Sequence, residues 1–306
     1  MLLIAQRFGI HPHNVQYYAG KWGLKVDADA KQEHSFNRRL QVAKLPSDYK
    51  VNPTQFANVT TPEVAYLLGL LWADGSIHKN PLPNSCQTYV ALALIRSDME
   101  TVRHVIEATG QWSWHNLVSK IPNRQPQLRA ITYNKPLHDF LEKHDYKSKS
   151  SSPDKILSII PAHLKHYWFR GLFDGDGHIR AASGRCISIA SSYEQDWGYM
   201  ENLCLQLGIT TCQIVRSIHP KGDRDSRFLF GRVEDILRFC EYIYQGYETD
   251  KIGLPRKREK YETLIGRYTQ SRPKPAYRLK EVVYDQRTKG REPQIIRLLP
   301  VPHGTS

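Results

Sequence analysis

The chain has 306 residues and 40% hydrophobic content, enough for two or three compact units with sizeable cores. With 43 Lys+Arg against 30 Asp+Glu the formal net charge is +13, which points to a polyanionic partner, nucleic acid before an acidic membrane surface. No apolar run approaches the roughly 20 residues that span a bilayer, the start MLLIAQRF is too short for a signal-peptide core, and the five cysteines form no CxxC pair, so membrane and disulfide-scaffold classes are excluded in favour of a cytoplasmic (or organellar) chain.

Residues 1–45 predict a small helical unit. In IAQRFGIHPHNVQYYAGKWGL, Ala5, Gly9 and Val15 fit a helix-turn-helix whose second helix would turn His13, Asn14, Gln16, Tyr17 and Lys21 toward DNA. Residues 46–60, with Pro46 and Pro53, read as a linker. Two segments then share one pattern, LLGLLWADG at 67–75 and FRGLFDGDG at 169–177. Their closing acids, Asp74 and Asp176, lie 102 residues apart (176 − 74).

The same elements follow each copy. An alternating run (89–96, then RCISIASS) predicts a strand. Ser97–Glu100 and Ser192–Gln195 offer capping boxes for a helix. Two further strands, around 113–121 and 128–133, then 212–218 and 227–230, lead to a last helix with apolar spacing at Leu137, Phe140 and Leu141, or Val233, Ile236 and Leu237. This predicts halves at 61–150 and 151–268, followed by a basic, proline-containing extension at 269–306. From 251 to 306 there are 14 basic and 5 acidic residues, which places +9 of the charge there.

Read as helices ending at Asp-Gly, the motif segments carry stripes of small residues, Gly69 with Ala73 and Gly171 with Gly175. Two such stripes can pack backbone to backbone and bring Asp74 and Asp176 together. Gly75 and Gly177 fit a left-handed position that turns each helix into a strand. Two helix C-termini and two carboxylates make an oxygen-only site for Mg²⁺ (or Mn²⁺) rather than Zn²⁺, with a phosphodiester to complete the shell. DGDGHI is not an EF-hand loop, because Ile179 stands where glycine is needed and Arg185 where glutamate is needed.

At these residues the chain resembles the LAGLIDADG homing endonucleases, over roughly 61–268. TPEVAYLLGLLWADGSI looks like that family's entry segment, and HYWFRGLFDGDGHI is similar to its usual second form. The resemblance implies an α+β fold of two pseudo-symmetric αββαββα halves whose sheets form a saddle on double-stranded DNA. It implies a monomeric endonuclease that hydrolyses phosphodiester bonds at a long asymmetric site, with Asp74 and Asp176 as catalytic metal ligands. The family's basic residue near the scissile phosphate falls by position on Lys135, with Arg232 or Gly231 in the second half. Trp72 stands where the family often has an acid, and is expected in the core.

On that scaffold, DNA contacts are expected from strand residues Arg96, Gln125, Gln127, Arg129, Arg185, Ser188, Arg216, Arg224 and Arg227. Arg256, Lys257 and Arg258 read as a basic arm against phosphates. The competing reading is an intron maturase or another non-cleaving nucleic-acid-binding regulator, with intron RNA as a partner. An intein is disfavoured, since Met1 opens the chain and VPHGTS closes it without a His-Asn pair.

Overall fold

In the computed structural model, which describes residues 21, 51–79, 88–117, 125–180, 186–209, 211–268, 280–285 and 294–298, the first motif helix begins at a side-chain cap. The Thr61 hydroxyl accepts from the Val64 amide, and Pro62 takes the first helical position, where its missing N–H costs nothing. The helix-turn-helix of residues 1–45 and Arg185 lie outside the described residues. Within the stretch read as a linker, the short helix α1 (Thr54–Ala57) buries Phe56, flanked by buried Val51 and Val59.

Helix α2 (Pro62–Asp74) is buried without a break from Val64 to Trp72, and its counterpart α6 (Lys165–Asp176) from His166 to Asp174. Helices enclosed on every side need little amphipathicity, and α6 buries even Arg170 and Asp174 among its apolar residues. They meet through glycine. A Cβ on Gly69 would stand 1.9 Å from the Trp168 carbonyl oxygen, and one on Gly171 would stand 2.1 Å from that of Tyr66. Farther along, a Cβ on Gly175 would meet the Ala73 methyl at 2.3 Å. The small-residue stripes thus form the seam of the molecule.

From α2 the chain runs through β1 (Gly75–Lys79), β2 (Thr88–Ile95), α3 (Arg96–Ala108), β3 (Ser113–Leu117), β4 (Gln127–Thr132) and α4 (Lys135–Lys143). After α5 (Asp154–Ile159), α6 repeats the sequence with β5 (Gly177–Arg180), β6 (Cys186–Ser192), α7 (Gly198–Gln206), β7 (Cys212–Ile218), β8 (Arg224–Phe230) and α8 (Val233–Ile243). Two αββαββα halves are therefore present. The four strands of each half pair antiparallel, in the order β1-β2-β4-β3 and its equivalent β5-β6-β8-β7. Inner faces pack the core with Val90, Leu92 and Ala130 in one half, and Ile187, Ile189, Phe228 and Phe230 in the other.

Two expectations are corrected. Gly75 and Gly177 are not left-handed; their φ values are −74° and −75°. They are glycine because each strand leaves so close to its helix that a Cβ would strike the Leu71 or Phe173 carbonyl, at 2.4 and 2.2 Å. Neither capping box forms. Helix α3 starts at Arg96 and α7 only at Gly198, both without side-chain caps, so Ser97 and Ser192 are not N-caps. The extension contributes strands β9 (Lys280–Asp285) and β10 (Gln294–Leu298). β9 pairs parallel to β7, and the second sheet has six strands against four in the first. After α8 come a short helix α9 (Tyr247–Asp250) and α10 (Pro255–Tyr268).

Candidate metal and nucleic-acid site

The seam of α2 and α6 ends at the two motif acids. Asp74 Oδ2 lies 2.8 Å from where a Gly175 Cβ would be, so the first acid sits against the backbone that leads into the second. Both carboxyls are raised. For Asp176, burial and then the Asp74 charge push its pKa up to about 7. For Asp74 the surrounding protein is the main cause, although its tip reaches solvent. Among the described residues no donor is hydrogen-bonded to either carboxylate. Two close acids, short of donors and each raised partly or wholly by desolvation, suit a divalent cation, which would replace the missing positive charge.

Two lysines face the pair, and neither was expected there. Lys149, on the turn after α4, donates to the Ala73 carbonyl at 3.2 Å and to the Gly75 carbonyl. Lys257, in α10, donates to the carbonyls of Phe173 (2.6 Å), Asp174 (2.6 Å) and Gly177 (2.8 Å). Each ammonium thus caps the C-terminus of one motif helix, where orphan carbonyls and the helix dipole favour a cation. Burial pulls both down to about 8, opposed by Asp176 and Asp74 at Lys149 and by Asp174 first at Lys257.

Lys135 is elsewhere. It stands exposed at the start of α4, paired with Asp139, while the cations that act on Asp74 and Asp176 are Lys149 and Lys257. Arg232, the suggested second-half counterpart of Lys135, likewise heads α8 beside Glu234. Trp72 packs in the core against Tyr146 and Trp168, as expected. Its counterpart Asp174 accepts from the Tyr66 hydroxyl and the Leu254 amide, both at 2.9 Å, and burial holds its carboxyl up to about 6.

The basic arm is also corrected. Arg256 forms a two-pronged pair with Asp98, Lys257 is 5% exposed at the helix end, and Arg258 pairs with Glu262 while lying over the Tyr244 and Tyr261 rings. Lys257 is thus turned onto the end of α6, while Arg256 stays partly exposed and Lys260 is exposed. Arg216 pairs in register with buried Ser226 on the inner side of its sheet and donates to the Tyr193 and Gln195 carbonyls.

The faces away from the helices carry the remaining candidates. On the first sheet, Arg129 is flanked in register by Ala93 and His115, while Arg96 follows β2 and reaches Asn116 and Glu100. On the second sheet, Arg227 pairs in register with Ala190 and Val215, and His178 with Ser188. Arg224 is exposed over the Tyr193 ring, Gln125 is exposed and Gln127 half-buried. His178 was missed in the sequence. Burial and then Arg180, Lys260, Lys257 and Arg227 hold its imidazole below the usual value, which marks a cationic surface beside Asp176.

Residues 164–244 match the family model of the LAGLIDADG-like domain. Curated proteins yield no match. Among solved structures, the homing endonuclease I-WcaI bound to its DNA recognition sequence aligns at 13% identity, over 72% of this chain and 96% of its own, with a TM-score of 0.44. Mesophilic variants of the homing endonuclease I-DmoI align at 14% identity, over 60% and 95%, with a TM-score of 0.42. Full-length DUF199/WhiA from Thermatoga maritima aligns at 16% identity, over 72% and 66%, with a TM-score of 0.39. Among the described residues, no helix is long and apolar enough to cross a membrane.

Proposed function

We propose that this chain, whose residues 164–244 match the LAGLIDADG-like domain model, is a site-specific endonuclease that hydrolyses both strands of double-stranded DNA as a monomer. The observation that carries this is the meeting of one acid and one lysine from each half at the ends of two packed motif helices.

Asp74 and Asp176 are the residues that would hold a divalent cation, Mg²⁺ or Mn²⁺. When bound, the cation supplies Lewis-acid stabilisation of the phosphodiester and a lowered pKa for its water. The protein's own groups do the rest. The glycine seam fixes the distance between the carboxylates, because neither helix can withdraw without breaking a backbone-to-backbone contact. Lys149 and Lys257 keep positive charge beside the site, where negative charge grows on the phosphate oxygens during displacement. Arg129, His115, Arg227, His178 and Arg180 offer phosphate and base-edge contacts on the two outer sheet faces.

The test is cleavage of DNA from the gene's own locus with the coding sequence removed, using the full-length protein. We expect linear product in Mg²⁺ and none in EDTA. Tight binding without nicking in either Mg²⁺ or Mn²⁺ would replace this reading with a non-cleaving regulator or maturase.

A further inference from the structure

Two polar residues within the Ser97–Glu100 and Ser192–Gln195 segments make long-range contacts. Asp98, in the first turn of α3, is buried and accepts from Arg256 through both oxygens, Nε to Oδ1 at 2.6 Å and Nη2 to Oδ2. Arg256 immediately precedes Lys257. Gln195, between β6 and α7, is 1% exposed and donates from Nε2 to the Ser151 carbonyl at 3.2 Å and to that of Asp196 at 2.8 Å. Its neighbour Asp196 donates its amide to the Ser150 carbonyl at 2.9 Å. Ser150 and Ser151 immediately follow Lys149.

These contacts cross the molecule. Asp98 belongs to the first half and grips the segment bearing the second half's lysine. Gln195 belongs to the second half and, with the Asp196 amide, grips the junction residues Ser151 and Ser150 that follow the first half's lysine. The gripping corners are themselves braced. The Gln195 Oε1 accepts from the Ser191 hydroxyl at 2.7 Å, and Arg216 ties down the Tyr193 and Gln195 carbonyls. Lys149, Asp176, Ser191 and Gln195 line one small cavity, which puts this corner beside the candidate metal ligands.

We propose that Asp98 and Gln195 are positioning residues, each using its half's strand-to-helix corner to hold the opposite half's lysine arm in the site, Asp98 acting on Lys257 and Gln195 on Lys149. The clamps differ in chemistry. One is a charge-assisted, two-pronged pair with a largely desolvated carboxylate, and the other a neutral amide on backbone carbonyls. Each lysine depends on a contact from across the seam, so the lysines are seated only when both halves are docked. The consequence for cutting rests on the nuclease reading; the seating of the lysines does not.

Trace acetylation of the full chain with acetic anhydride, read at each lysine by peptide mass spectrometry against exposed Lys155, measures the seating directly. Asp98→Ala should raise labelling of Lys257 about tenfold and leave Lys149 unchanged, since local opening is confined to one arm. Gln195→Ala should do the reverse. Arg256→Met, which alters a partly exposed side chain, should copy Asp98→Ala, and the double variant should add little, as for two partners of one contact. A merely structural role would raise both lysines together with a fall in Tm, and that result overturns the proposal. So does unchanged labelling in all three single variants. On cleavable DNA, Asp98→Ala and Gln195→Ala should slow opposite strands. Selective labelling in a protein that cuts no DNA would sustain the clamps and overturn only the nuclease reading.

Discussion

The proton balance of the site is set by crowding more than by any single partner. Burial, and then the Asp74 charge, push the Asp176 carboxyl up to about 7 in the folded protein, from an ordinary value of 3.8. Between those values the folded state therefore holds a proton that the unfolded chain has released. Its contribution to stability is fully present below about pH 4 and is lost as pH rises through 7. In EDTA, the Tm of the wild type should fall more steeply from pH 5 to 7.5 than that of Asp176→Asn; parallel curves would contradict this. Saturating Mg²⁺ should raise the wild-type Tm most at the upper end of the range, because it binds the folded state only. At the same scale, Lys149→Met and Lys257→Met should each slow cutting well beyond Lys135→Ala, whose ammonium is engaged with Asp139 on the surface. Strand-resolved nicking rates measure both. The acids were legible because a repeated motif marks equivalent positions. The lysines were not. Lys149 lies in KSKSSS, which has the composition of a solvated turn, and Lys257 in a basic run that resembles a phosphate arm. A signal was present all the same: the two lie 75 (149 − 74) and 81 (257 − 176) residues after their motif acids.

Among elements, the seam of α2 and α6 governs both folding and chemistry. Nothing larger than hydrogen fits at Gly69 or Gly171, where the facing atoms belong to backbone and cannot rotate away. Gly69→Ala and Gly171→Ala should each destabilise by about 2 kcal/mol or more in urea unfolding, as overpacking into rigid neighbours does. Both should also cut poorly, since the helix ends carry the acids. Little loss from either would mean that the helices can separate cheaply. Glycine spacing was enough to predict this contact from sequence. It gave the wrong reason at Gly75 and Gly177, because a turn after a helix can demand glycine through a close carbonyl as well as through φ. The Ser-x-x-Glu/Gln pattern failed for a related reason. Local capping and other pairings draw on the same polar side chains: Glu100 of the first box goes to Arg96 and Gln195 of the second to the Ser151 carbonyl.

Across the whole molecule, pseudo-symmetry sets the plan and its breaches set the asymmetry. Trp72 fills the place that Asp174 occupies in the other half, and two C-terminal strands lengthen only the second sheet. Halves this unequal should nick the two DNA strands at different rates. Deleting residues 269–306 should leave two four-stranded sheets and shorten the DNase footprint on one side only; an unchanged footprint would show that β9 and β10 do not extend the DNA-contacting surface. The halves were readable because duplication repeats spacing as well as residue type. The added strands were not, because proline-rich, basic sequence around them carries the composition of an extension, and the pairing of β9 with β7 is set by a free sheet edge.

The central claim, that Asp74 and Asp176 together hold the cation that cuts both strands, is tested most directly by strand-resolved cleavage of one DNA duplex in Mg²⁺ by Asp74→Asn, Asp176→Asn and the double variant, each first shown to bind that duplex like the wild type. The account predicts no double-strand cutting by any of the three and no nicking by the double variant. Nicking that survives in the double variant would contradict it.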